Sequence, residues 1–465
     1  MQINKKIFKA YDIRGIYPTE INEENFKIII ASIYDFLKKD LKKEILTIAL
    51  GRDMRISAPS LFKVAKSTLE RRGASIIDIG LVSTPTFYYA VKKYGYDAGI
   101  QISASHNPKD YTGLKIVKRV GEKIVKIGQP TGMEEIKQNA ISGNILEENK
   151  KGELTINETV LKNEVKDIIE EQGVQEIKNL KVAADPANAM GALYLDELFK
   201  HLPCELVKIN FELDGTFPSH QPDPLQFDTL KDLQKKVIDE KANLGIAPDG
   251  DGDRVFFIDE KGEIIPATLI TSLIANEILT NNSQEKIIVD IRYTNNVKSV
   301  CKKNNAKLLI SKVGHALITQ QLNKENAAFA GESSGHFYFR QSGGAESSLR
   351  VILMLLKIIS RGNKTISQIL EKYKASIESG EINFVLDESI DSKAVLKSFE
   401  ELFSKGSISR LDGVAIDFDD WRLSLRTSNT EPLIRLNVEA DTKEILDKNL
   451  KTILNKMSEF KAKRK

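Results

Sequence analysis

Residues 98–108 read AGIQISASHNP. Residues 98–102 form a short apolar run typical of a buried strand, whereas the serine, asparagine and proline residues that follow favour a turn. In open α/β sheets such a turn lies at the carboxyl edge of the sheet, where ligands bind. This stretch therefore predicts an α/β layer that carries a polar loop at its ligand-binding edge.

Short apolar runs alternate with segments of helical periodicity on both sides of this stretch. Such alternation predicts a doubly wound α/β layer. The pattern recurs twice further along the chain, so we expect three consecutive doubly wound α/β domains. The predicted strands are 45–50, 75–79, 98–102, 182–184, 206–210, 243–247, 287–291, 307–310 and 327–330, and the predicted helices are 26–37, 60–71, 193–202, 230–240 and 347–359.

The pattern changes after about residue 380, where predicted strands follow one another closely and a helix closes the chain. This order predicts a smaller α+β domain with a mainly antiparallel sheet. A chain of 465 residues exceeds the usual size of a single core. We therefore predict four domains arranged around a central cleft, at residues 1–153, 154–258, 259–374 and 375–465.

The composition indicates an ordinary globular protein. The 68 Lys+Arg and 65 Asp+Glu residues leave a net charge of +3, which is too small for a nucleic-acid or membrane footprint over the whole surface. No apolar run approaches the ~20 residues that span a bilayer. Cys204 and Cys301 are far apart and offer neither a disulfide framework nor a CxxC site. A reducing cytoplasm fits this cysteine usage best.

Two segments are predicted to be loosely held. Residues 121–152 are polar and mixed in charge, so we expect a surface excursion there. The basic residues Lys461, Lys463, Arg464 and Lys465 predict a frayed, solvated terminus.

The loop after residue 102 contains Ser105 next to His106. A serine held on a tight turn beside a histidine can act as a nucleophile or as a phosphate acceptor. An ordinary hydroxyl-capped turn is the alternative, because serine, asparagine and proline all favour turns. The hexapeptide 103–108 alone leaves both interpretations open.

Three aspartates, Asp249, Asp251 and Asp253, alternate with glycines after another predicted strand. Their mutual repulsion would raise their pKa values or demand a cation, and a hard divalent ion resolves this conflict. A calcium EF-hand is excluded, because Arg254 stands where that loop needs glycine and a strand, not a helix, follows. A solvated acidic turn remains the alternative.

Two more loops collect polar groups that suit a phosphosugar. Glu332 and Ser334 could exchange hydrogen bonds with sugar hydroxyls, although a glycine-bounded turn explains the same residues equally well. The loop 426–432 gathers hydroxyl, amide and guanidinium donors suited to a phosphate dianion. A hairpin turn does not explain the arginines at both of its ends, Arg426 and Arg435. Smaller candidates are Tyr11, Arg14, Lys115, Lys312 and His315.

Taken in this order, the motifs resemble the α-D-phosphohexomutase superfamily, and specifically its phosphomannomutase/phosphoglucomutase branch. The resemblance covers essentially the whole chain, and the opening from Tyr11 to Gly15 is similar to that branch. It implies an intramolecular phosphotransferase that interconverts the 1- and 6-phosphates of mannose and/or glucose. A phosphoserine enzyme and a hexose 1,6-bisphosphate would be the intermediates, with Mg²⁺ as the metal.

The resemblance also implies a role for each candidate residue. Ser105 would carry the phosphate and, with Asp249, Asp251 and Asp253, would hold the Mg²⁺. The other implied catalytic residues are His106, Lys115, Arg254 and His336. The implied substrate-binding residues are Tyr11, Arg14, Lys312, His315, Glu332, Ser334, Arg426, Ser428, Asn429, Thr430 and Arg435.

The chain departs from the family pattern at Ser333, where methionine, glutamine or glutamate is common, so the preferred sugar stays open. A phosphoglucosamine mutase would share the chemistry and differ at this loop. A non-catalytic phosphosugar sensor is disfavoured by the intact serine and aspartates. The expected partners are small phosphosugars, with no nucleic acid and no membrane, and the expected state is a monomer or homodimer.

Overall fold

A computed structural model of the chain describes residues 3–143, 150–387, 390–427 and 433–464. The chain divides into two units, each built from three segments. The first consists of Met1–Ile265, Leu322–Lys324 and Ser334–Ile369, and the second of Pro266–Gln321, Glu325–Ser333 and Leu370–Lys465. No helix within these described ranges is long and apolar enough to cross a membrane.

The first sheet has seven strands in the order β1-β5-β4-β2-β3-β7, and β6 pairs with β5. Strands β2, β3, β4 and β7 run parallel, whereas β5 is antiparallel to β4. Every residue of β4 is buried, as its apolar run predicts. The elements are β1 Ile13–Ile16, α1 Glu23–Leu41, β2 Thr47–Arg52, α2 Ala58–Arg71, β3 Ser75–Leu81, α3 Thr84–Lys93, β4 Ala98–Ile102, β5 Tyr111–Val120, β6 Lys123–Lys126, α4 Met133–Ser142, β7 Glu153–Ile156 and α5 Val160–Gln172.

The second sheet has five strands in the order β12-β11-β10-β8-β9. Strand β10 is parallel to β8 and antiparallel to β11. Because Pro248 pairs with Val255, residues 249–254 form the loop of the β10–β11 hairpin. The elements are β8 Lys181–Ala184, α6 Gly191–Phe199, β9 Glu205–Lys208, α7 Lys231–Asp239, β10 Leu244–Pro248, β11 Val255–Ile258 and β12 Ile264–Ile265.

In the third α/β region, strand β13 pairs in parallel with both β14 and β15. Helix α8 is buried at every position from Ala267 to Ala275. The elements are α8 Ala267–Asn281, β13 Lys286–Asp290, α9 Asn295–Lys303, β14 Lys307–Ser311, α10 His315–Glu325, β15 Phe329–Gly331, β16 Phe337–Phe339, α11 Ser348–Ser360 and α12 Ile366–Leu370.

The last sheet is antiparallel, with the order β19-β20-β21-β22-β18-β23, and β17 pairs with β22. Its elements are β17 Ile377–Glu378, β18 Ile382–Val385, α13 Ser392–Leu402, β19 Ser407–Ser409, β20 Val414–Asp417, β21 Trp421–Thr427, β22 Leu433–Ala440, α14 Lys443–Glu459 and β23 Lys463–Arg464. The predicted fold class, three α/β domains and a smaller antiparallel α+β domain, is confirmed.

Two local predictions are wrong, the second only in part. The predicted surface excursion at 121–152 contains β6 and α4, and α4 buries Met133, Ile136 and Ala140 as an apolar stripe. The predicted terminus is solvated, because Lys461, Lys463 and Arg464 are exposed, but it is not frayed at Lys463 and Arg464, which form β23 and pair with β18; Lys465 lies outside the described residues. In both places a few backbone or apolar contacts outweigh the polar composition on which the predictions rest.

The segment Ser334–Ile369 is part of the first unit, although the second unit's residues precede it in the chain. Its helix α11 contacts α5 and α6. Arg350 forms a bidentate ion pair with Glu171, with distances of 2.6 and 2.7 Å. Glu346 binds the buried ammonium of Lys126. These contacts hold the late segment within the first unit.

Candidate active site

Ser105 lies in the loop that follows β4 and is almost completely buried. Its φ of 52° is in the left-handed region, which is strained for a residue with a side chain. The Ser103 hydroxyl accepts a hydrogen bond from the Ser105 N–H at 3.0 Å. The Ser105 hydroxyl donates to Asp249 Oδ2 at 3.1 Å and lies 3.2 Å from Nδ1 of His106. The turn therefore aims the hydroxyl at the aspartate loop.

The aspartate loop of the β10–β11 hairpin packs directly against the serine loop. Asp249, Asp251 and Asp253 are buried, and one ligand atom from each lies within 4.8 Å of the others. A Cβ on Gly250 would stand 2.4 Å from the carbonyl oxygen of Ser105. Only glycine permits this approach of the two backbones. The structure thus brings together the serine and the three aspartates that the sequence analysis selected.

The charge in this loop is only partly balanced by protein groups. Burial and the carboxylates of Asp253 and Asp251 raise the pKa of Asp249. The Lys115 ammonium lies 2.6 Å from Asp251 and 2.5 Å from Asp253. Although burial opposes the charge on Lys115, these two carboxylates outweigh that effect and raise its pKa. Lys115 is therefore a cation in this site.

The aspartate loop fits a divalent cation. Oδ1 of Asp251 is buried and has no hydrogen-bond partner among the described residues, and Oδ1 of Asp253 is buried with Nε2 of His336 at 3.4 Å. Carboxylate oxygens are hard ligands, and a cluster of them is the donor set that Mg²⁺ or Ca²⁺ prefers. Glu260, which an EF-hand would use as a ligand, instead accepts hydrogen bonds from Ser367. The chemistry of the donor set therefore favours a metal held by the three aspartates.

Arg254 and His336 contact each other beside the aspartate loop. Nε of Arg254 donates to Nε2 of His336 at 3.3 Å, and the same imidazole nitrogen lies 3.4 Å from Asp253. The Ser334 hydroxyl lies 3.0 Å from Nδ1 of His336. Burial and the charges of Arg254 and Arg14 hold the pKa of His106 well below its usual range. His106 is therefore neutral near pH 7.

Of the N-terminal candidates, Arg14 reaches the serine loop. It donates to Asp12 at 2.6 Å and to the Asn107 side chain at 2.5 Å. Tyr11 is half-buried in the segment that precedes β1. Arg14 is thus joined to the loop that carries Ser105, and Tyr11 lies three residues before it.

Glu332 belongs to the second unit, where it is held by a residue that the sequence analysis did not select. Nη2 of Arg292 donates to Glu332 at 3.0 Å. The same guanidinium binds Asp290, which also accepts the Ser333 N–H at 2.7 Å. The buried Arg292 therefore sets the position of the predicted sugar-binding carboxylate.

The predicted phosphate loop places two arginines opposite each other. Arg426 and Arg435 are cross-strand partners in β21 and β22. Asp412 accepts from Nε of Arg426 and from the Val313 N–H, both at 3.0 Å. Within the described residues, Nη1 of Arg426 and Nε of Arg435 are buried without a hydrogen-bond partner.

The other members of the predicted phosphate site are placed as follows. Lys312 follows β14, and His315 begins α10 in the second unit. Val313, between them, is joined through Asp412 to Arg426, which brings the 312–315 motif to the phosphate loop. Ser428, Asn429 and Thr430 lie outside the residues that the structure describes.

Four residues that the sequence analysis missed support the site: Arg55, Thr84, Arg292 and Asp412. Arg55 binds the backbone of the serine loop, and Thr84 binds Asp251. Each acts on a group far away in the chain, so local spacing carries no sign of it. The one available signal is that Arg55 and Arg292 directly follow predicted parallel strands, at the ligand-binding edge.

All four domains of one family match the chain in order. They are the phosphoglucomutase/phosphomannomutase α/β/α domains I, II and III, at residues 5–141, 163–262 and 267–376, and the C-terminal domain, at residues 381–456. The chain belongs to the phosphoglucomutase/phosphomannomutase family, within the α-D-phosphohexomutase superfamily. It is accordingly an enzyme of the phosphohexose mutase class.

Individual relatives agree with this assignment. A phosphomannomutase of Methanocaldococcus jannaschii is 35% identical over 461 residues, which cover 98% of each chain. A phosphomannomutase of Vibrio cholerae is 35% identical over 442 residues, which cover 93% of this chain and 94% of the relative. A crystal structure of a phosphoglucomutase/phosphomannomutase family protein from Burkholderia thailandensis superimposes with a TM-score of 0.89, at 27% identity and full coverage of both chains.

Proposed function

We propose that this enzyme interconverts hexose 1-phosphate and hexose 6-phosphate, with mannose and/or glucose as the sugar, through a phosphoserine at Ser105. The observation that carries the proposal is the Ser105 hydroxyl, which a strained turn directs at a buried cluster of three aspartates. Backbone strain of this kind is concentrated at functional sites, and here the strained residue also directs its hydroxyl at a buried carboxylate. A hexose 1,6-bisphosphate would be the intermediate and activator.

The proposed metal is Mg²⁺, held by Asp249, Asp251, Asp253 and an oxygen of the phosphate on Ser105. Its positive charge would offset the negative charge of the transferring phosphoryl group. Support comes from the buried Oδ1 of Asp251, which has no hydrogen-bond partner among the described residues, and from the cluster of three buried carboxylates. The Lys115 ammonium, between the same two carboxylates, keeps this acidic loop compact.

In the proposed reaction, the P–O bond to Ser105 breaks and a P–O bond to the free hydroxyl of the sugar phosphate forms. The sugar hydroxyl gives up its proton, and the Ser105 oxygen takes up a proton as it leaves. The resulting bisphosphate turns over and returns its other phosphate to Ser105 by the reverse chemistry. We propose Lys115, His106 and His336 for these proton transfers, since His106 contacts the Ser105 hydroxyl and the other two contact Asp253.

Arg254 would stabilise the negative charge of the transferring phosphoryl group beside the aspartate loop. Its Nε lies 3.9 Å from Asp249 and its Nη1 lies 3.6 Å from Asp223, so the guanidinium is held beside the loop. A fixed cation there needs no reorganisation when the phosphoryl group transfers. We propose that Arg14, joined to Asn107, helps in the same way from the other side, and that Tyr11 contacts the sugar.

We propose that the phosphate that does not react is bound by Arg426 and Arg435, together with Ser428, Asn429, Thr430, Lys312 and His315. Arg426 and Arg435 lie directly opposite each other, with Asp412 at 3.0 Å from the first guanidinium and Glu381 at 3.6 Å from the second. A phosphate bound beside both arginines would form charge-assisted hydrogen bonds with them. The buried, unpartnered nitrogens of both arginines within the described residues support this role.

The sugar hydroxyls are proposed to bind Glu332 and Ser334. Glu332 is buried and fixed by Arg292, so it is oriented before a sugar arrives. A buried acceptor of this kind rejects a sugar that leaves it unpaired. Assays with different hexose 1-phosphates show which sugar the loop around Ser333 accepts and whether mannose or glucose is preferred.

The proposal extends to the organisation of the chain. We propose domain ends near residues 153, 258 and 374, small phosphosugars as the only partners, and a monomer or homodimer in a reducing cytoplasm. Cys204 and Cys301 are both free thiols, which is compatible with such a compartment.

The decisive experiment measures the phosphate on Ser105 and the turnover it supports. Mass spectrometry of the purified protein is expected to find one added phosphate on the peptide that contains Ser105. Coupled assays with mannose 1-phosphate, glucose 1-phosphate and glucosamine 1-phosphate should give turnover with one or both of the first two. Ser105→Ala should abolish the phosphate and the turnover.

Ser398→Ala is the matched control, because the Ser398 hydroxyl donates to the Val395 carbonyl of its own helix in the other unit. It should keep both signals. A protein that turns over with alanine at position 105, or that acts on glucosamine 1-phosphate alone, would contradict the proposal.

A further inference from the structure

Arg55 is a buried arginine that lies next to the serine loop without being one of its residues. It follows β2, and the N–H of Asp53 donates to the Ile102 carbonyl at 3.0 Å, which joins the ends of β2 and β4. The Arg55 N–H donates to Asp53 Oδ1 at 3.0 Å, and the two side chains are 3.3 Å apart. This turn presents the guanidinium to the loop that leaves β4.

The Arg55 guanidinium makes four hydrogen bonds to backbone carbonyls of that loop. Nη2 donates to Ser105 at 2.7 Å and to Asn107 at 2.6 Å. Nη1 donates to Pro108 at 2.7 Å and to Tyr111 at 3.0 Å. One planar group therefore fixes both ends of the 105–111 turn.

Such a contact has a direct effect on the strained residue. Ser105 is held at a positive φ, which is strained for a residue with a side chain, and it stays there only if its surroundings over-determine the turn. The buried carbonyl of Ser105 also needs a donor, because an unpaired buried carbonyl is destabilising. Arg55 meets both needs, and its rigid fork sets the spacing of the carbonyls, which a lysine ammonium does not.

Arg55 also packs against residues outside the serine loop. The ring of Phe217 lies 5.1 Å from its guanidinium carbon. Gly215 is so close that a Cβ there would stand 2.8 Å from the Arg55 Cα. These two contacts limit the movement of the Arg55 guanidinium and of the Arg55 backbone, respectively.

We propose that Arg55 is a positioning residue for the phosphoryl carrier: it holds the 105–111 turn so that the Ser105 oxygen stays aimed at the aspartate loop. The inference rests on the proposed function, because it assigns the turn's geometry to phosphoryl transfer. Arg55 acts through the backbone of Ser105 and does not itself touch the sugar. Its positive charge beneath the turn also favours the extra negative charge of a phosphate on Ser105.

The test replaces the planar guanidinium of Arg55 with the ammonium group of a lysine, which keeps the charge but not the geometry. In Arg55→Lys, hydrogen–deuterium exchange of the peptide that spans 103–111 should become faster, and kcat should fall by about 100-fold. KM should stay within about threefold, because the substrate contacts are untouched. In Arg55→Ala, millimolar guanidinium chloride should restore part of kcat, which an effect on stability alone would not allow.

Arg119 provides a matched control at the opposite end of the same sheet. It also uses its guanidinium to bind three backbone carbonyls, those of Tyr96, Gly95 and Gly121, at 3.1, 2.8 and 2.8 Å. Arg119→Lys should leave both the exchange of 103–111 and kcat unchanged.

The possible failures are distinguishable. Normal exchange and kcat in Arg55→Lys, or an equal loss in Arg119→Lys, would overturn the role of Arg55 while the parent enzyme still transfers phosphate. A parent protein without phosphate on Ser105 and without mutase turnover would overturn the proposed function, and the carrier role of Arg55 with it.

Discussion

The Thr84 hydroxyl lies 2.5 Å from a carboxylate oxygen of Asp251, although 167 positions separate the two residues in the chain. The Thr84 N–H also donates to the Asp251 carbonyl at 2.9 Å. Thr84 is the first residue of α3, and the dipole at the N-terminus of a helix favours negative charge. The helix terminus therefore holds the middle aspartate of the proposed metal site.

Thr84→Val should weaken metal binding without removing a ligand. The Thr84 hydroxyl orients the Asp251 carboxylate. Loss of a hydrogen bond to a metal ligand typically lowers metal affinity by about 10- to 100-fold. The Mg²⁺ concentration for half-maximal activity should rise by about that factor, and calorimetric Mg²⁺ titration should show the same shift. Thr84→Ser keeps the hydroxyl and should titrate like the parent. Identical Mg²⁺ titrations for Thr84→Val and the parent would refute this role of the Thr84 hydroxyl.

Gly250→Ala should disrupt the contact between the serine and aspartate loops. The new Cβ would stand 2.4 Å from the Ser105 carbonyl oxygen, so one loop must move. Overpacking of this kind costs about 1–3 kcal/mol, and the displaced serine should lower turnover further. Thermal unfolding and the coupled assay measure the two effects. At Gly362 the nearest atom to an added Cβ is 3.9 Å away, so Gly362→Ala should change neither.

Arg426→Lys should raise KM and lower kcat, because a planar guanidinium can bind phosphate through two parallel hydrogen bonds and an ammonium cannot. Arg426→Ala removes the charge as well and should cost on the order of 2 to 4 kcal/mol in kcat/KM. Steady-state kinetics measure both, and phosphorylation of Ser105 should survive.

Arg410 is the control for this pair of variants. It is an exposed arginine of the same domain, with a bidentate contact to Glu400 at 2.8 and 2.7 Å. Arg410→Ala should have parent kinetics. If Arg426→Ala also matched the parent, the phosphate-anchor role would be wrong.

Glu164 should make the stability of the protein depend on pH. It is buried in α5, and burial raises its pKa to about 7 although Thr86 donates to it. The folded state thus keeps a proton that the unfolded state loses above pH 4.5. The free energy of unfolding should therefore fall as pH rises from about 4.5 to about 7, and the lost stability stays lost above that range.

Glu164→Gln removes this titration while keeping the shape of the neutral acid. At pH 5 the variant and the parent should have similar free energies of unfolding. At pH 8 the free energy of unfolding of the variant should be higher by up to about 3 kcal/mol, since one pKa unit is worth about 1.4 kcal/mol. Thermal unfolding at both pH values measures the difference. Glu44→Gln, at a carboxylate whose side chain is 94% exposed, should show no such divergence. Parallel curves for Glu164→Gln and the parent would contradict the prediction.

The sequence was sufficient for the elements whose signals are local. Strand β4 occupies the predicted 98–102, because an apolar run bounded by turn residues has one compact arrangement. The cation site at the aspartate loop was also predicted from the sequence, since three carboxylates separated by glycines are hard to explain without a cation. The family and the fold class followed from the order of these motifs, and both are confirmed.

The remaining features depend on contacts that no local pattern encodes. Helix α8 was not predicted because it is buried almost all around and shows no polar face. Arg55 and Asp412 were missed for a different reason. Their partners, Ser105 and Val313, lie 50 and 99 positions away, and a charged residue that binds distant backbone looks like any surface residue in the sequence.

The return of Ser334–Ile369 to the first unit limits how this protein can be divided. A gene fragment that stopped after Ile265 would produce Lys126 buried without Glu346, and α5 and α6 without the helix that covers them. Neither unit is a cassette that recombination or truncation could move intact. A break in the chain after Ile265 would separate the first unit from its own residues 334–369.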